Sequence, residues 1–206
     1  ALSTDKAANP VNLYGASKLA SDKIFVAAIW LVGNRTEPLF AVARYGNVLG
    51  SRGSIVPVFR DLLSRGAESL PITDPRMTRF WITLEQGVEF VLSCFGLTQG
   101  GEVFVPKIPS MPVIELAEAM APGVPTHSVG IRAGEKLHEA MITPDDARST
   151  LELPDRFVIG PTLYGDQNCY NPDEREVSED FGYTSDGNRE WLDVPQMRRL
   201  LEESAG

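Results

Sequence analysis

Short apolar runs alternate along this chain with longer stretches of helical spacing, and that alternation is the tightest constraint on its fold. The run LFAVAR, residues 39–44, is mostly apolar without strict period-two alternation. A strand buried on both faces reads that way. Residues 10–32 before it read as a long helix ended by Gly33, and residues 83–97 as a second helix. The second carries Val88, Val91, Leu92 and Phe95 at helical spacing and precedes Gly100-Gly101. Further strands are expected at 1–3, 102–106, 128–132 and 157–159. Further helices are expected at 54–64 with Ser54 as cap, at 113–120, at 134–141 and at 194–203, where Pro195 fits the first turn. The stretch 70–82 reads as extended pieces around a turn at Asp74-Pro75, with Phe80 and Trp81 in the core. Strands alternating with helices indicate an α/β fold with a parallel sheet.

A length of 206 residues allows one sizeable core or two small ones. The longest apolar run, 24–32, is too short to span a bilayer, and no membrane partner is expected. There is no initiating Met, basic n-region or signal-like segment, so residue 1 is not expected to be the natural start. Net charge is −9, unevenly spread: from Asp166 onward 11 acidic residues face 4 basic ones. Six arginines lie between Arg44 and Arg79, against Asp61, Glu68 and Asp74. This balance argues against nucleic acid, which needs a broad basic surface, but a local patch suits a diphosphate. Cys94 and Cys169 form no CxxC pair and read as reduced thiols of a cytoplasmic protein. His127 and His138 lack ligand spacing, and no metal is expected; His138 reads as a packing or hydrogen-bonding residue.

The chemistry is concentrated at the start. Tyr14 and Lys18 are four residues apart and share one face of a helix. An unperturbed phenol, with a pKa of about 10, is a poor base at neutral pH. A cation one turn away favours the phenolate, which can take a proton from a hydroxyl as hydride leaves the same carbon. Tyr-x-x-x-Lys alone also occurs on ordinary surface helices. The tetrapeptide STDK, residues 3–6, ends eight residues before Tyr14. By itself it reads as a turn cap. At a strand's C-terminal end, where open α/β sheets place ligands, it becomes a catalytic candidate.

Five motifs in order carry a family resemblance: STDKAANPVNLYGASK, RYGNVLGSRGSIVP, LPITDPRMTRFWITLEQGVEFV, GGEVFVPKIPSM and GIRAGEKLHEAM. Over nearly the whole chain to about residue 162, the sequence resembles the extended short-chain dehydrogenase/reductase superfamily. Within it, the sequence is similar to the soluble, bacterial, inverting UDP-N-acetylglucosamine 4,6-dehydratases of pseudaminic acid biosynthesis and flagellin glycosylation. Tyr14, where the membrane-bound retaining relatives usually carry methionine, favours the inverting branch. The resemblance implies that Tyr14 deprotonates the sugar 4-hydroxyl as hydride passes to NADP, or to NAD. Lys18 would hold the cofactor ribose and tune Tyr14, and Ser3, Val48 and Arg52 would also contact cofactor. Lys6 would be the base at C5, Asp5 the acid at the departing C6 hydroxyl, and Thr4 would orient the sugar. Asn47 would bind the nucleotide-sugar, and Ile55, Val56 and Pro57 would line a uridine pocket. Arg132 would grip the diphosphate, with Glu135 on the ribose or orienting Arg132, and Arg79 and Arg76 as further phosphate candidates. Homo-oligomers are typical of the family.

No glycine-rich dinucleotide fingerprint follows a strand anywhere in the chain. A nucleotide-binding half is therefore expected upstream. The organisation expected is an incomplete Rossmann-like parallel sheet with a smaller α/β substrate-binding domain. Residues 1–50 form the C-terminal part of the dinucleotide domain with the catalytic residues. Residues 51–165 are mainly a UDP-sugar-binding domain that partly returns to the sheet, and 166–206 are an acidic, largely irregular tail with a terminal helix. Two alternatives stand: a UDP-sugar 4-epimerase or reductase, which needs Tyr14 and Lys18 but not STDK, and a catalytically silent module that binds UDP-sugar or oligomerises.

Overall fold

The computed structural model describes residues 1–32, 38–160 and 175–204. In chain order come strand β1 (Leu2–Thr4), a 3-10 turn (Asp5–Ala7), helix α1 (Leu13–Val32), strands β2 (Val42–Tyr45) and β3 (Asn47–Val48), and helix α2 (Ile55–Ser64). Strands β4 (Leu70–Ile72) and β5 (Thr78–Ile82), helix α3 (Leu84–Phe95), strands β6 (Val103–Pro106) and β7 (Ser110–Pro112) and helix α4 (Val113–Met120) follow. Then come β8 (Thr126–Ser128), β9 (Ala140–Ile142), α5 (Pro144–Ala147), β10 (Thr150–Glu152) and β11 (Arg156–Ile159). The chain closes with β12 (Arg175–Glu176), β13 (Tyr183–Thr184) and α6 (Val194–Glu203). The chain divides into two compact units. The first comprises Ala1–Tyr45, Val88–Lys107 and Ala140–Thr184; the second comprises Gly46–Gly87, Ile108–Glu139 and Ser185–Gly206.

The first unit is built on a six-stranded sheet in the order β1-β2-β6-β11-β10-β12. Strands β1, β2 and β6 are parallel, as the apolar runs predict; β11, β10 and β12 join antiparallel. The antiparallel part has a simple cause. Only residues 153–155 separate β10 from β11, which suffices for a hairpin but not for the crossover that a parallel pair requires. All residues of β6 and β11 are buried, and Ala43, Phe90, Cys94, Phe104, Leu153 and Val158 form the core. Gly100 and Gly101 take positive φ, and the buried Glu102 carboxylate accepts the N–H groups of Gln99 and Gly100 at 2.7 and 2.9 Å. That turn closes the α3–β6 connection. Arg156, buried on β11, ties to Asp155, Ser93 and the face of Phe90.

Helix α1 begins at Leu13 rather than at residue 10, because the Asn12 side chain accepts the Gly15 N–H at 2.8 Å and so caps it. Its expected stop at Gly33 lies outside the described residues, as do residues 166–174 and Cys169 of the tail. The described tail is less irregular than expected: β12 pairs with β10 and β13 with β9.

In the second unit, β3 and β7 flank β5, and β4 pairs with β8. Two apolar clusters fill it, one around Val56, Trp81, Met111 and Met197, the other around Phe59, Leu70, Ile72 and Val113. Phe80 and Trp81 are buried as read. Ser54 precedes α2, but its hydroxyl makes no cap hydrogen bond. The strand expected at 128–132 is instead β8, ending at Ser128, and the helix expected at 134–141 is absent: residues 129–139 run as turns and bends. Long-range hydrogen bonds explain the difference. The Arg79 guanidinium takes the carbonyls of Lys136 and Leu137, each at 3.0 Å, and the Thr78 N–H takes Leu137 O at 3.3 Å. Those carbonyls are the acceptors a helix would have needed.

Candidate active site

Strand β1 delivers STDK to the C-terminal end of the parallel part of the sheet, with Ser3 in register with Arg44 and Thr4 with Tyr45. Thr4 leaves the strand extended and caps the following turn, its hydroxyl accepting the Lys6 N–H at 3.4 Å. The same hydroxyl donates to Asp5 Oδ1 at 2.8 Å, and Lys6 Nζ donates to that oxygen at 2.9 Å. Asp5 is fully buried, whereas the Lys6 side chain keeps 36% of its surface. Asp5 Oδ2 and the buried Ser3 hydroxyl have no hydrogen-bond partner among the described residues. Strand β9 packs against this turn.

The chain returns through Asn9, which takes a left-handed φ of 48°, and enters α1. Gly15 seats the first turn of the helix on the Asp5–Ala7 turn. A Cβ there would collide with the Lys6 carbonyl and stand 2.9 Å from Pro10 Cβ. Tyr14, the residue before this seat, is 55% exposed. Lys18 Nζ lies 5.9 Å from the Tyr14 ring centroid. Tyr45, beside Thr4, is a second phenol; burial pushes its hydroxyl above the usual range, so it stays protonated.

The remaining candidates lie in the second unit. Asn47 and Val48 are half-buried on β3, paired with Trp81 and Ile82, and Gly46 before them lies flush on Phe80. Arg52 is exposed in a loop between Gly50 and Gly53, both at positive φ. Ile55 and Pro57 are half-buried at the start of α2, but Val56 is wholly within the core and offers no surface to a ligand. Arg132 is exposed, with no partner for its guanidinium among the described residues. Glu135 accepts the Arg132 backbone N–H at 3.2 Å, so it shapes the Arg132 turn rather than pairing with the guanidinium. Arg79 is taken up by the carbonyls of Thr78, Lys136 and Leu137, with Glu139 3.9 Å away, which leaves no free fork for a phosphate. It fixes the segment that follows Arg132. Arg76 is clipped to Asp74 through Nε and Nη2 at 2.9 and 2.8 Å.

Sequence reasoning missed Gly15 and the buried Arg44–Asp22 pair. A glycine inside a helical pattern was a readable signal, since it costs roughly 1 kcal/mol against alanine unless close packing requires it. A cavity of about 410 Å³ in the first unit, walled by Leu2, Phe25, Phe40, Phe95 and Phe104 among others, includes none of the predicted site residues. Among the described residues there is no cluster of three potential metal ligands and no helix long and apolar enough to cross a membrane.

A family model described as polysaccharide biosynthesis protein matches residues 1–161. Over its whole length the chain is 52% identical to the UDP-N-acetylglucosamine 4,6-dehydratase (inverting) of Campylobacter jejuni subsp. jejuni serotype O:2, of which it covers 64%. It is 35% identical to the UDP-glucose 4-epimerase of Rickettsia canadensis over 97% of this chain and 60% of that protein. Among solved structures, Pen from Bacillus thuringiensis matches with a TM-score of 0.85 and 30% identity, over 99% of this chain and 62% of that one. DesIV, a dTDP-glucose 4,6-dehydratase from Streptomyces venezuelae solved with NAD, shares the fold, with a TM-score of 0.57 and 21% identity over 66% of this chain and 48% of that one. The chain thus spans less than two thirds of the length of the curated relatives it matches.

Proposed function

Because the chain belongs to the polysaccharide biosynthesis protein family, within the extended short-chain dehydrogenase/reductase superfamily its motifs resemble, we propose that the full polypeptide is a C5-inverting UDP-N-acetylglucosamine 4,6-dehydratase. The observation that carries this reading is the pairing of the buried Asp5 with the half-buried Lys6 at the tip of β1, in the turn that seats the first turn of the Tyr14–Lys18 helix. An epimerase needs the phenol and the lysine but has no use for an acid and an amine beside them.

Tyr14, as phenolate, takes the proton of the sugar 4-hydroxyl, and Lys18 one turn on stabilises that phenolate. A nicotinamide cofactor, NADP with NAD as the alternative, supplies when bound the two-electron oxidant for C4 and returns the electrons to C6. Tyr14, Lys18 and the unpartnered Ser3 hydroxyl suit its nicotinamide-ribose end, with Val48 and Arg52 assigned to it as well; the chain has no glycine-rich cradle for its pyrophosphate. With C4 a ketone, the C5 proton is acidic and Lys6 as free amine removes it. Asp5 as carboxylic acid gives a proton to the C6 hydroxyl, which departs as water. The ion pair and the acid–amine pair differ by one proton moved along the 2.9 Å bond between Lys6 Nζ and Asp5 Oδ1. The elimination consumes the acid–amine form and regenerates the ion pair. Thr4 anchors Oδ1, which leaves Oδ2 for the leaving hydroxyl. Reprotonation of C5 on its opposite face inverts it.

Arg132 is assigned to the diphosphate, Asn47, Ile55 and Pro57 to the nucleotide, and Glu135 and Arg79 to shaping the Arg132 segment. The resemblance puts the product at the first step of pseudaminic acid biosynthesis, in a cytoplasmic homo-oligomer. The 35% identity to an epimerase supports a second reading, interconversion at C4. Proton NMR of the full polypeptide with UDP-N-acetylglucosamine and NADP decides between them. A 4-keto-6-deoxy sugar nucleotide is expected; a 4-epimer with an intact C6 hydroxyl overturns the proposal. For the 206-residue chain alone, calorimetry is expected to detect UDP but not NADP; if turnover is also missing, the piece is a silent module.

A further inference from the structure

Beneath the site, in the first unit, lies a charged cluster that the chemistry above does not use. Arg44 on β2 is 4% exposed and Asp22 on α1 is 3% exposed. Arg44 Nη2 donates to Asp22 Oδ2 at 3.1 Å, and Nη1 donates to the Met141 carbonyl of β9 at 2.9 Å. Nη1 also stands 3.8 Å from Asp146 Oδ2 of α5. A buried ion pair is a poor source of stability, since apolar residues of similar size often do as well. Its placement suggests another role.

Arg44 is in register with Ser3, one residue before Thr4. Asp22 follows Lys18 by one helical turn and Tyr14 by two, so the three share a face. Besides its packing on β1 and β2, helix α1 is held at two specific points. Gly15 rests on the Lys6 carbonyl, and Asp22, about 10 Å further along the axis at 1.5 Å per residue, is gripped by Arg44. A single contact leaves a helix free to pivot and roll; two contacts fix axis and rotation, and Lys18 lies between them. The other prong of Arg44 grips β9, the strand packed on the Asp5–Ala7 turn. One planar fork thus ties the helix of Tyr14 to the layer over Asp5 and Lys6.

We propose that Arg44 and Asp22 are positioning residues that hold Tyr14 and Lys18 in register with the Asp5–Lys6 pair. This rests on the roles given to those four residues above. Arg44→Lys keeps the charge but loses the fork, since a single ammonium cannot reproduce the planar two-pronged geometry. Asp22→Asn keeps the shape and loses the charge. In the full polypeptide, each is expected to lower kcat tenfold or more with KM for UDP-N-acetylglucosamine within twofold. The double variant Arg44→Met/Asp22→Leu removes both buried charges. It is expected to hold a melting temperature near wild type while kcat stays at least tenfold low, a split that a purely structural pair would not give. Hydrogen exchange at backbone amides 16–20 is expected to quicken in all three. Single variants within twofold of wild-type kcat, or a double variant with wild-type kcat, overturn the positioning role. The identity of the wild-type product tests the functional reading separately, because the kcat ratios hold for any sugar-nucleotide reaction using Tyr14. If wild type does not turn over, exchange decides, and unchanged rates at 16–20 overturn the proposal.

Discussion

Arg76 and Arg132 are both exposed arginines in motifs that resemble phosphate sites, yet their surroundings divide them. Hydrogen bonds from Arg76 hold the Asp74 carboxyl down to about 2, below its ordinary value near 3.9. A depressed carboxylate contributes stability that is present above its unfolded pKa and lost as pH falls from about 4 towards 2. In Arg76→Ala, carbon NMR should find Asp74 titrating back in the ordinary carboxylate range, with KM for UDP-N-acetylglucosamine within twofold of wild type. Arg132→Ala should raise that KM tenfold or more; the opposite ranking would make Arg76 the phosphate ligand. Cys94 supplies a second residue-scale test. Burial pushes its thiol up to about 11, and the Arg156 guanidinium 3.4 Å away only partly offsets this. Iodoacetamide at pH 8 should leave Cys94 unmodified in the native protein and label it after unfolding. Stoichiometric native labelling within minutes would contradict the buried placement.

At the scale of elements, the junction between the Asp5–Ala7 turn and α1 is set by one absent side chain. Gly15→Ala should force the helix off the Lys6 carbonyl, destabilise the protein by about 1–3 kcal/mol and lower turnover, read by thermal melting and a product assay. A variant with unchanged melting and kcat would show that the helix does not need that seat. The elements that were legible in sequence are those whose local pattern and burial agree. VFVP and RFVI read as strands because both faces are buried, α3 reads as a helix from its apolar spacing, and α6 reads as one from its amphipathic pattern with Pro195 in the first turn. What was not legible depends on distant partners. Residues 134–141 look helical, but Arg79, more than fifty residues earlier, claims the carbonyls of Lys136 and Leu137. The candidate tetrapeptide STDK and the Tyr14–Lys18 pair could be singled out from sequence, whereas the grip of Arg44 on Asp22 and Met141 joins residues 22 and 97 positions apart. Nothing local announces it.

At the largest scale, two features of the first unit lead us to propose that the 206-residue chain self-associates. Strand β1 has no neighbour on its outer edge among the described residues. Helix α3 exposes Val88, Leu92 and Phe95, the last at 72%, and α1 exposes Ile24. Apolar stripes of this kind mark contact surfaces, and an open strand edge adds to them. Sedimentation should find the 206-residue chain self-associated and Leu92→Glu/Phe95→Glu shifted towards monomer; an unshifted distribution would place the contact elsewhere. Turnover of UDP-N-acetylglucosamine by the full polypeptide in deuterium oxide tests the proposed elimination across C5 and C6 by the Asp5–Lys6 pair most directly. The 4-keto-6-deoxy product should carry one deuterium at C5 with the configuration there reversed, and Lys6→Met should form none. A product that keeps its C5 proton, or its original C5 configuration, contradicts the account.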